Sequence, residues 1–268
     1  MTDLIQQEAS IRLGFFLSIF ALMASWELLA PRRELSIAKG RRWLNNLGLV
    51  VVNTLTTRLL FPAAAVGTAL WAEQNQIGLL NWLNVSQWPL IILVSVVLLD
   101  FFIWYQHLLF HKIPLLWRLH RVHHADLDFD ITTGLRFHPI EVLLSMCIKA
   151  ALILVFGFPA LGVLLFEIIL NGCAMITHSN VKLPQRADAL IRKLFVTPDM
   201  HRVHHSWRQE EANSNYGFNL AIWDRLFGTY KQDSVDGQLG INFGISERPN
   251  PNAIPLNKLL SLPFRKGL

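Results

Sequence analysis

Four long apolar runs, separated by short polar segments, dominate the pattern along this chain. The first is Leu13 to Ala30, and the second runs from about Leu47 to Ala72 with Arg58 inside it. The third is Pro89 to Phe110, interrupted by Asp100. A bilayer crossing takes about 20 residues, so each is long enough to span. The fourth, Ile140 to Thr177, is too long for one crossing, and Gly157-Phe158-Pro159 divides it into the two limbs of a helical hairpin. Asp3 and Glu8 precede the first run, without the basic region and small-residue cleavage site of a signal peptide.

Charge between the runs gives an orientation. Arg32, Arg33, Lys39, Arg41 and Arg42 follow the first run, and Lys112, Arg118 and Arg121 follow the third. The segment from Glu73 to Trp88 has no Lys or Arg. The positive-inside rule then predicts that the basic loops are cytoplasmic and the N-terminus outside. The Gly157-Phe158-Pro159 turn also falls outside, and Thr177 returns to the cytoplasm.

Composition agrees with the membrane reading. The chain is 52% hydrophobic and 16% charged, where globular chains carry roughly a quarter charged residues. The net charge of +5 reports loop placement rather than a nucleic-acid partner. Cys147 and Cys173 stand in apolar surroundings, which implies no disulfide framework. No linker divides residues 1–268, read as a single membrane domain: N-terminal transmembrane helices over 11–88, a histidine-rich region over 89–230 and a C-terminal tail over 231–268. The expected fold is all-α integral membrane, with about four transmembrane helices, two of them in a hairpin, and a cytoplasmic histidine-rich cap. Such a chain belongs in a bacterial inner membrane or the endoplasmic reticulum. Phe218 to Phe227 is apolar but too short to span, and is placed on the membrane surface or under the cap.

All ten histidines fall, on this topology, at the cytoplasmic ends of spans or in cytoplasmic segments. His107 and His111 are four apart and share a helix face. The pentapeptide HRVHH occurs twice, as His120, His123 and His124 and as His201, His204 and His205, again with spacings that share a face. His138 and His178 stand alone in their segments. A lone HxxxH arises by accident on many exposed helices, and His138 could simply cap a turn before Pro139. Two HRVHH copies and an HxxxH on one membrane face point to a gathered set of imidazoles, which are common metal ligands. Their number exceeds the three or four of a single zinc site and fits two metals better.

The motifs HLLFH, HRVHH and HRVHH, with RFHPIE around His138, THSN around His178 and NYGFNLAIWDRLFGT from Asn215 to Thr229, resemble the fatty acid hydroxylase/sterol desaturase superfamily of membrane di-iron enzymes. The resemblance covers about residues 89 to 230. It implies four transmembrane helices under a cytosolic cap and two irons held by the histidines, with zinc possible after overexpression. It also implies O2 as co-substrate, a lipid substrate drawn from the bilayer and hydroxylation or desaturation of an unactivated carbon. Many members have Arg after the first histidine, where this chain has Leu108, which leaves the subfamily open. Fatty acyl chains, sterols, carotenoids, ether lipids and amino-lipids are all handled within the superfamily. The sequence contains no fused haem or flavin domain, so a separate reductase is the expected electron donor.

Among other polar residues, Asp100 shares a helical stripe with Trp104, His107 and His111, and is expected to accept a hydrogen bond from a ligand imidazole. The bland reading is an ion pair with Arg58. Asn171, seven before His178, is a candidate to line a substrate or water path with Glu167, or to make a helix–helix hydrogen bond. Arg136 and Glu141 flank His138 and could pair with each other. Asp224 and Arg225 read as cap-stabilising, and Trp207 and Trp223 as packing or interfacial residues. The competing functions are a metal-binding membrane transporter and a non-catalytic metal sensor. Transporters place ionisable groups near the midplane, whereas these histidines gather at one face.

Overall fold

The structure is a computed structural model and describes residues 7–83, 88–245 and 254–265; Asp3 of the N-terminal expectation lies outside them. Helices α1 (Glu8–Leu29) and α2 (Lys39–Leu60) come first, followed by α3 (Ala64–Gln74) and the short α4 (Leu79–Trp82). The long α5 (Trp88–Lys112) leads through Ile113 into α6 (Pro114–His124), where Pro114 takes the first helical position and its missing N–H costs nothing. The hairpin is α7 (Pro139–Phe156) and α8 (Ala160–Thr177). Short helices complete the chain: α9 (Gln185–Ile191), α10 (Pro198–His204), α11 (Gln209–Ala212), α12 (Ile222–Leu226), α13 (Gly237–Gly240) and α14 (Leu256–Ser261).

Five stretches among the described residues are long and apolar enough to cross a membrane: α1, the stretch Lys39–Trp82, α5, α7 and α8. The resemblance implies four; both hairpin limbs qualify here, each 18 residues long and so about 27 Å, close to the hydrocarbon thickness. The second run is not one straight span. Pro62 has no N–H to donate and disfavours helical backbone at Phe61, so α2 stops at Leu60 and α3 starts anew at Ala64.

The hairpin turn is closed by backbone contact. Gly157 caps α7 in the left-handed region at φ 70°. A Cβ on Gly78 would lie 2.2 Å from the Gly157 nitrogen, and one on Gly157 would lie 2.9 Å from the Ile77 carbonyl oxygen, so both positions need glycine. Glu73 Oε1 accepts from the Ala160 nitrogen at 2.9 Å, satisfying an open N–H at the start of α8. Above this turn, Ala65, Val66 and Ala69 of α3 pack with Leu99 and Ile103 of α5, Ile153 of α7 and Val163 and Phe166 of α8.

At the other end of the spans, three buried charges fix the loops that carry histidines. Glu27, near the end of α1, accepts from the backbone nitrogens of Ile131 and Asn180, both at 2.7 Å. Arg42 of α2 grips Asp126 with two hydrogen bonds of 2.9 Å and Asp130 with one of 2.7 Å. Arg136 donates to the Val122 carbonyl at 2.8 Å and to Asn46 Oδ1 at 3.1 Å. Burial alone would raise the Asp126 carboxyl; the charges of Arg42 and Arg136 overcome it and hold the group well below the usual carboxylate range. Arg136 and Glu141, which could have paired, have other partners: Arg136 binds Val122, Asn46 and Asp126, and Glu141 binds His120.

The described residues 254–265 of the C-terminal tail pack against the spans. Leu259 of α14 and Leu262 pack with Leu49 and Val122, while the Leu262 and Pro263 carbonyls accept from Arg121 and Arg118.

Replacing Glu27 with Ala leaves the Ile131 and Asn180 N–H groups buried without an acceptor, at a cost of about 1–3 kcal/mol each. Glu27→Ala is therefore expected to lower unfolding stability in detergent far more than Glu27→Gln, which keeps an amide oxygen for both. Equal losses in denaturant titrations of the two variants would refute this account.

Candidate metal centre

Nine of the ten histidines converge in two adjoining groups. One is His107, His111, His120, His124 and His204; the other is His123, His178, His201 and His205. Within each group one ligand nitrogen per residue lies within 4.8 Å of all the others. Each HRVHH box divides between the groups. On α6, His120 and His124 are one turn apart and face the first group, while His123 is rotated to face the second. Around α10, His204 joins the first group, and His201 and His205 join the second.

The outer nitrogens fix which way the rings present their lone pairs. His107 Nδ1 donates to the Tyr216 carbonyl at 2.7 Å, and His204 Nδ1 to the Ser214 carbonyl at 2.7 Å. His178 Nδ1 donates to the Ala174 carbonyl at 2.6 Å. His120 Nδ1 faces Glu141 Oε1 at 2.6 Å, so the carboxylate holds the proton on that nitrogen. A neutral imidazole has one N–H, and in these four rings it points outward. Their Nε2 atoms carry only lone pairs.

Those lone pairs face one another. His107 Nε2 lies 3.0 Å from His120 Nε2 and 3.1 Å from His204 Nε2. No hydrogen is available to join these three acceptors. In the second group His178 Nε2 lies 3.0 Å from His201 Nε2 and 3.1 Å from those of His123 and His205. One lone pair cannot accept from three neighbours. His111 Nε2 and His124 Nε2 are buried with no hydrogen-bond partner at all. Such an arrangement repels itself unless a cation lies between the nitrogens, and an all-imidazole donor set suits zinc, iron, copper or nickel. The residues present fit a metal in each group.

Their environment keeps the rings neutral. Burial, reinforced by the neighbouring imidazoles, holds His123, His124, His201, His204 and His205 well below the ordinary histidine value. Burial lowers His120 to about 3, and burial is the largest influence bringing His178 down to about 4. Aromatic rings cover the flanks: Phe137 stacks on His123 at 4.5 Å, Phe129 on His178 at 5.5 Å, and Phe218 lies 4.9 Å from His107.

Three expected site residues sit elsewhere. His138 belongs to neither group: its Nδ1 accepts from the Ile140 nitrogen at 3.2 Å as the cap of α7, and its Nε2 meets the Leu260 carbonyl at 3.1 Å. Asp100 accepts no hydrogen bond from an imidazole. It lies seven residues before His107 on one helix, about 10 Å along the axis, and its Oδ2 accepts from Trp223 Nε1 at 2.8 Å instead. Asn171 is exposed on α8 and bonds its own helix, Nδ2 donating to the Glu167 carbonyl at 2.7 Å. Glu167 is paired with Lys149 and, at 2.9 Å, with Arg12 of α1, a tie between spans rather than a path lining. Asp224 is a cap residue as expected, accepting from Trp104 Nε1 at 3.0 Å, from the Tyr216 and Gly217 nitrogens at 2.9 and 2.8 Å, and from Thr229 Oγ1 at 2.6 Å. His178, solitary in the sequence, stands at the centre of the second group.

Glu141 is the residue that spacing missed. It belongs to α7 and its partner to α6, so no periodicity joins them; only its position in RFHPIE marks it. The carbonyls of Ala174, Ser214 and Tyr216 carry no side-chain signal whatever.

A helical membrane protein with two buried, all-histidine clusters that could each hold a metal ion is the class that fold and site define. Residues 92–229, more than half of the chain, match the family profile described as "Fatty acid hydroxylase", and the chain belongs to that family. It is 31% identical over 224 residues to an ornithine lipid hydroxylase of Rhizobium tropici, covering 80% of this chain and 65% of the relative. Human alkylglycerol monooxygenase is 26% identical over 148 residues, 55% of this chain and 32% of its own. Human cholesterol 25-hydroxylase is 28% identical over 139 residues, 51% of this chain and 49% of its own. The chain thus spans less than two thirds of the length of each of these relatives. No solved structure matches it.

Glu141→Gln is expected to weaken metal retention about 10–100-fold, as loss of an orienting carboxylate behind a ligand imidazole does elsewhere. His138→Ala should retain metal like the parent, since its ring only caps α7. Chelator competition on purified protein, read by elemental analysis, checks both; loss of metal in His138→Ala would return that residue to the ligand set.

Proposed function

We propose that this chain is an O2-dependent di-iron oxidoreductase that hydroxylates a C–H bond of a membrane lipid. The observation that carries the reading is the convergence of proton-free Nε2 atoms in two adjoining buried groups, in a chain of the fatty acid hydroxylase family. The three named relatives oxidise an ornithine lipid, an alkylglycerol and cholesterol. Their shared chemistry is oxygen insertion into a largely apolar molecule, which supports a lipid substrate here and leaves its head group and carbon position to experiment.

The ligands would be His107, His111, His120, His124 and His204 for one iron and His123, His178, His201 and His205 for the other. A pair of irons, when bound, supplies the activation of O2 and the oxidising power that no side chain has. The protein's own part is positional. Glu141 and the Tyr216, Ser214 and Ala174 carbonyls hold the Nδ1 protons and aim the lone pairs inward. Arg42 and Asp126 clamp the turn after the first HRVHH box. Phe129, Phe137 and Phe218 cover the imidazoles with apolar surface, which limits water around the reacting C–H bond. In the overall change one oxygen atom enters the substrate and the other leaves as water, so a separate reductase supplies two electrons and the solvent two protons. That requirement, and the basic segments after α1 and α5, favour the histidine groups on the cytoplasmic side.

Lipid extracts from cells expressing the chain are expected to contain a species about 16 Da heavier than a parent lipid, the mass of one inserted oxygen atom. His204→Ala, which removes a ligand from one group, should abolish it. The same lipid profile with parent and His204→Ala would overturn the hydroxylase reading, and a loss of two hydrogens in place of a gained oxygen would change it to desaturation.

Sidedness is tested separately. Val235 is 72% exposed beside the cap, whereas neighbouring Ser234 is buried and donates to Glu211. In spheroplasts or microsome-bearing cells, Val235→Cys should react with a membrane-impermeant maleimide only after the membrane is opened. Reaction in intact cells would reverse the topology.

A further inference from the structure

Two segments of the cap present a single apolar surface to the outside. The chain after α9 forms an isolated bridge between Phe195 and Leu220. The Ala221 nitrogen donates to the Leu194 carbonyl at 2.8 Å, and Arg225 Nη2 to the Arg192 carbonyl at 2.8 Å, so residues 190–195 and 220–227 lie side by side. Their outward side chains are Leu190, Leu194, Phe195, Leu226 and Phe227, with Leu190 67% and Leu226 66% exposed. Single exposed apolar residues need no explanation, but five large ones on one surface mark an interaction site.

The inner edge of that surface is fixed against a membrane span. Phe227 stacks on Trp104 of α5 at 4.7 Å and meets Phe101 at 6.0 Å, and Trp223 reaches Asp100. The patch is therefore continuous with the outward face of α5, where Tyr105 is 46% exposed. Depth follows from helix geometry. At 25 residues, α5 is about 37 Å long, against a hydrocarbon core of about 30 Å. Trp104 lies eight residues before Lys112, about 12 Å below the helix end, which places it and Phe227 inside the hydrocarbon.

Charge at the rim has one sign. Lys193 and Arg225 are exposed on these segments, and Arg186 is exposed on α9 one turn before Leu190. Their acidic residues are engaged elsewhere: Asp188 pairs with Arg192, and Asp224 is buried against Trp104 and Thr229.

We propose that this face of the cap is seated in the lipid leaflet around the histidine end of the spans. Leu190, Leu194, Phe195, Leu226 and Phe227 lie among the acyl chains, and Arg186, Lys193 and Arg225 meet anionic head groups, as on an interfacial amphipathic element. The cap is then anchored to the leaflet at the depth of the Trp104–Phe227 contact. The proposal depends on the membrane fold and not on the hydroxylase reading.

The test uses the full chain in nanodiscs, with Cys147 and Cys173 replaced by Ser and Ala, and a nitroxide on Leu190→Cys, on Leu226→Cys or on the outlying Val235→Cys. In discs of phosphatidylcholine with phosphatidylglycerol, labels at 190 and 226 should be several-fold more accessible to oxygen than to a water-soluble nickel chelate, and the label at 235 the reverse. Nickel access at 190 and 226 equal to that at 235 would place the face in water. Spin–spin broadening at 190 would place a second copy of the chain on it; either result overturns the proposal. Arg186→Gln with Lys193→Gln should raise nickel access at 190 several-fold in the anionic discs and leave it unchanged in pure phosphatidylcholine. No change in the anionic discs would remove the head-group contacts from the proposal. Metal content equal to the parent's certifies each labelled protein, and Leu194→Cys, on the same face, replaces any that loses it.

Discussion

Imidazole nitrogens stripped of protons and pressed to within about 3 Å of each other are the constraint around which this molecule is built. Neutral rings that share no hydrogen repel at that distance, and burial denies them water. A cation between them turns the repulsion into coordination, and binding it draws on the same free energy that holds the cap together. Everything near the cluster limits the ways it could relax. Glu141 and three backbone carbonyls remove the option of flipping a tautomer. Arg42, Asp126 and Asp130 remove the option of moving the turn that follows α6. The cost of such buried charges is tolerable only because nearly every lone pair and N–H in the network finds a partner.

The membrane supplies the second constraint. Helices α5 and α8 each carry histidine at their ends, so the position of the metal groups relative to the bilayer is set by spans that cannot move along its normal without exposing apolar side chains. Glu27 extends that control to α1, tying its end to the loops around Ile131 and Asn180. The chain thereby joins a buried polar site to a set of apolar membrane-spanning helices. Arg12, Lys149 and Glu167 show the same economy within the spans: a buried carboxylate tolerated because two cations share it.

How much of this could be read beforehand depends on whether a feature is periodic. The spans were legible because a bilayer demands continuous apolar length, and their limits at Leu29, Lys112, Phe156 and Thr177 fall close to the ends of the runs. Eight of the nine clustered histidines were legible because i, i+3 and i+4 spacing gathers rings on a helix, whereas His178 stands alone in its segment and only the THSN resemblance marked it. The break at Pro62 was legible in principle, since proline ends helices, but it is hidden because the residues on both sides of it, Leu59 to Phe61 and Ala63 to Val66, are apolar. Asp100 misled because a shared helical stripe says which side chains point the same way and nothing about whether they touch. His138 misled because a histidine before proline can serve a metal or a helix cap, and only its surroundings tell the two apart.

Sequence by itself determined the membrane fold, the helices that carry histidine and the chemistry those side chains favour, because apolar length and helical spacing are local properties of the chain. Tertiary structure alone decided that each HRVHH box divides its rings between two groups, and that Glu141 rather than Asp100 stands behind a clustered imidazole. It also decided that the carbonyls of Tyr216 and Ser214 orient His107 and His204, whereas Ala174 holds His178 from one turn earlier on the same helix. The reason is physical: a lone pair is aimed by whatever holds the opposite nitrogen of its ring, and for His107, His120 and His204 those holders come from α7 and the loop after α11, which only folding brings to α5, α6 and α10.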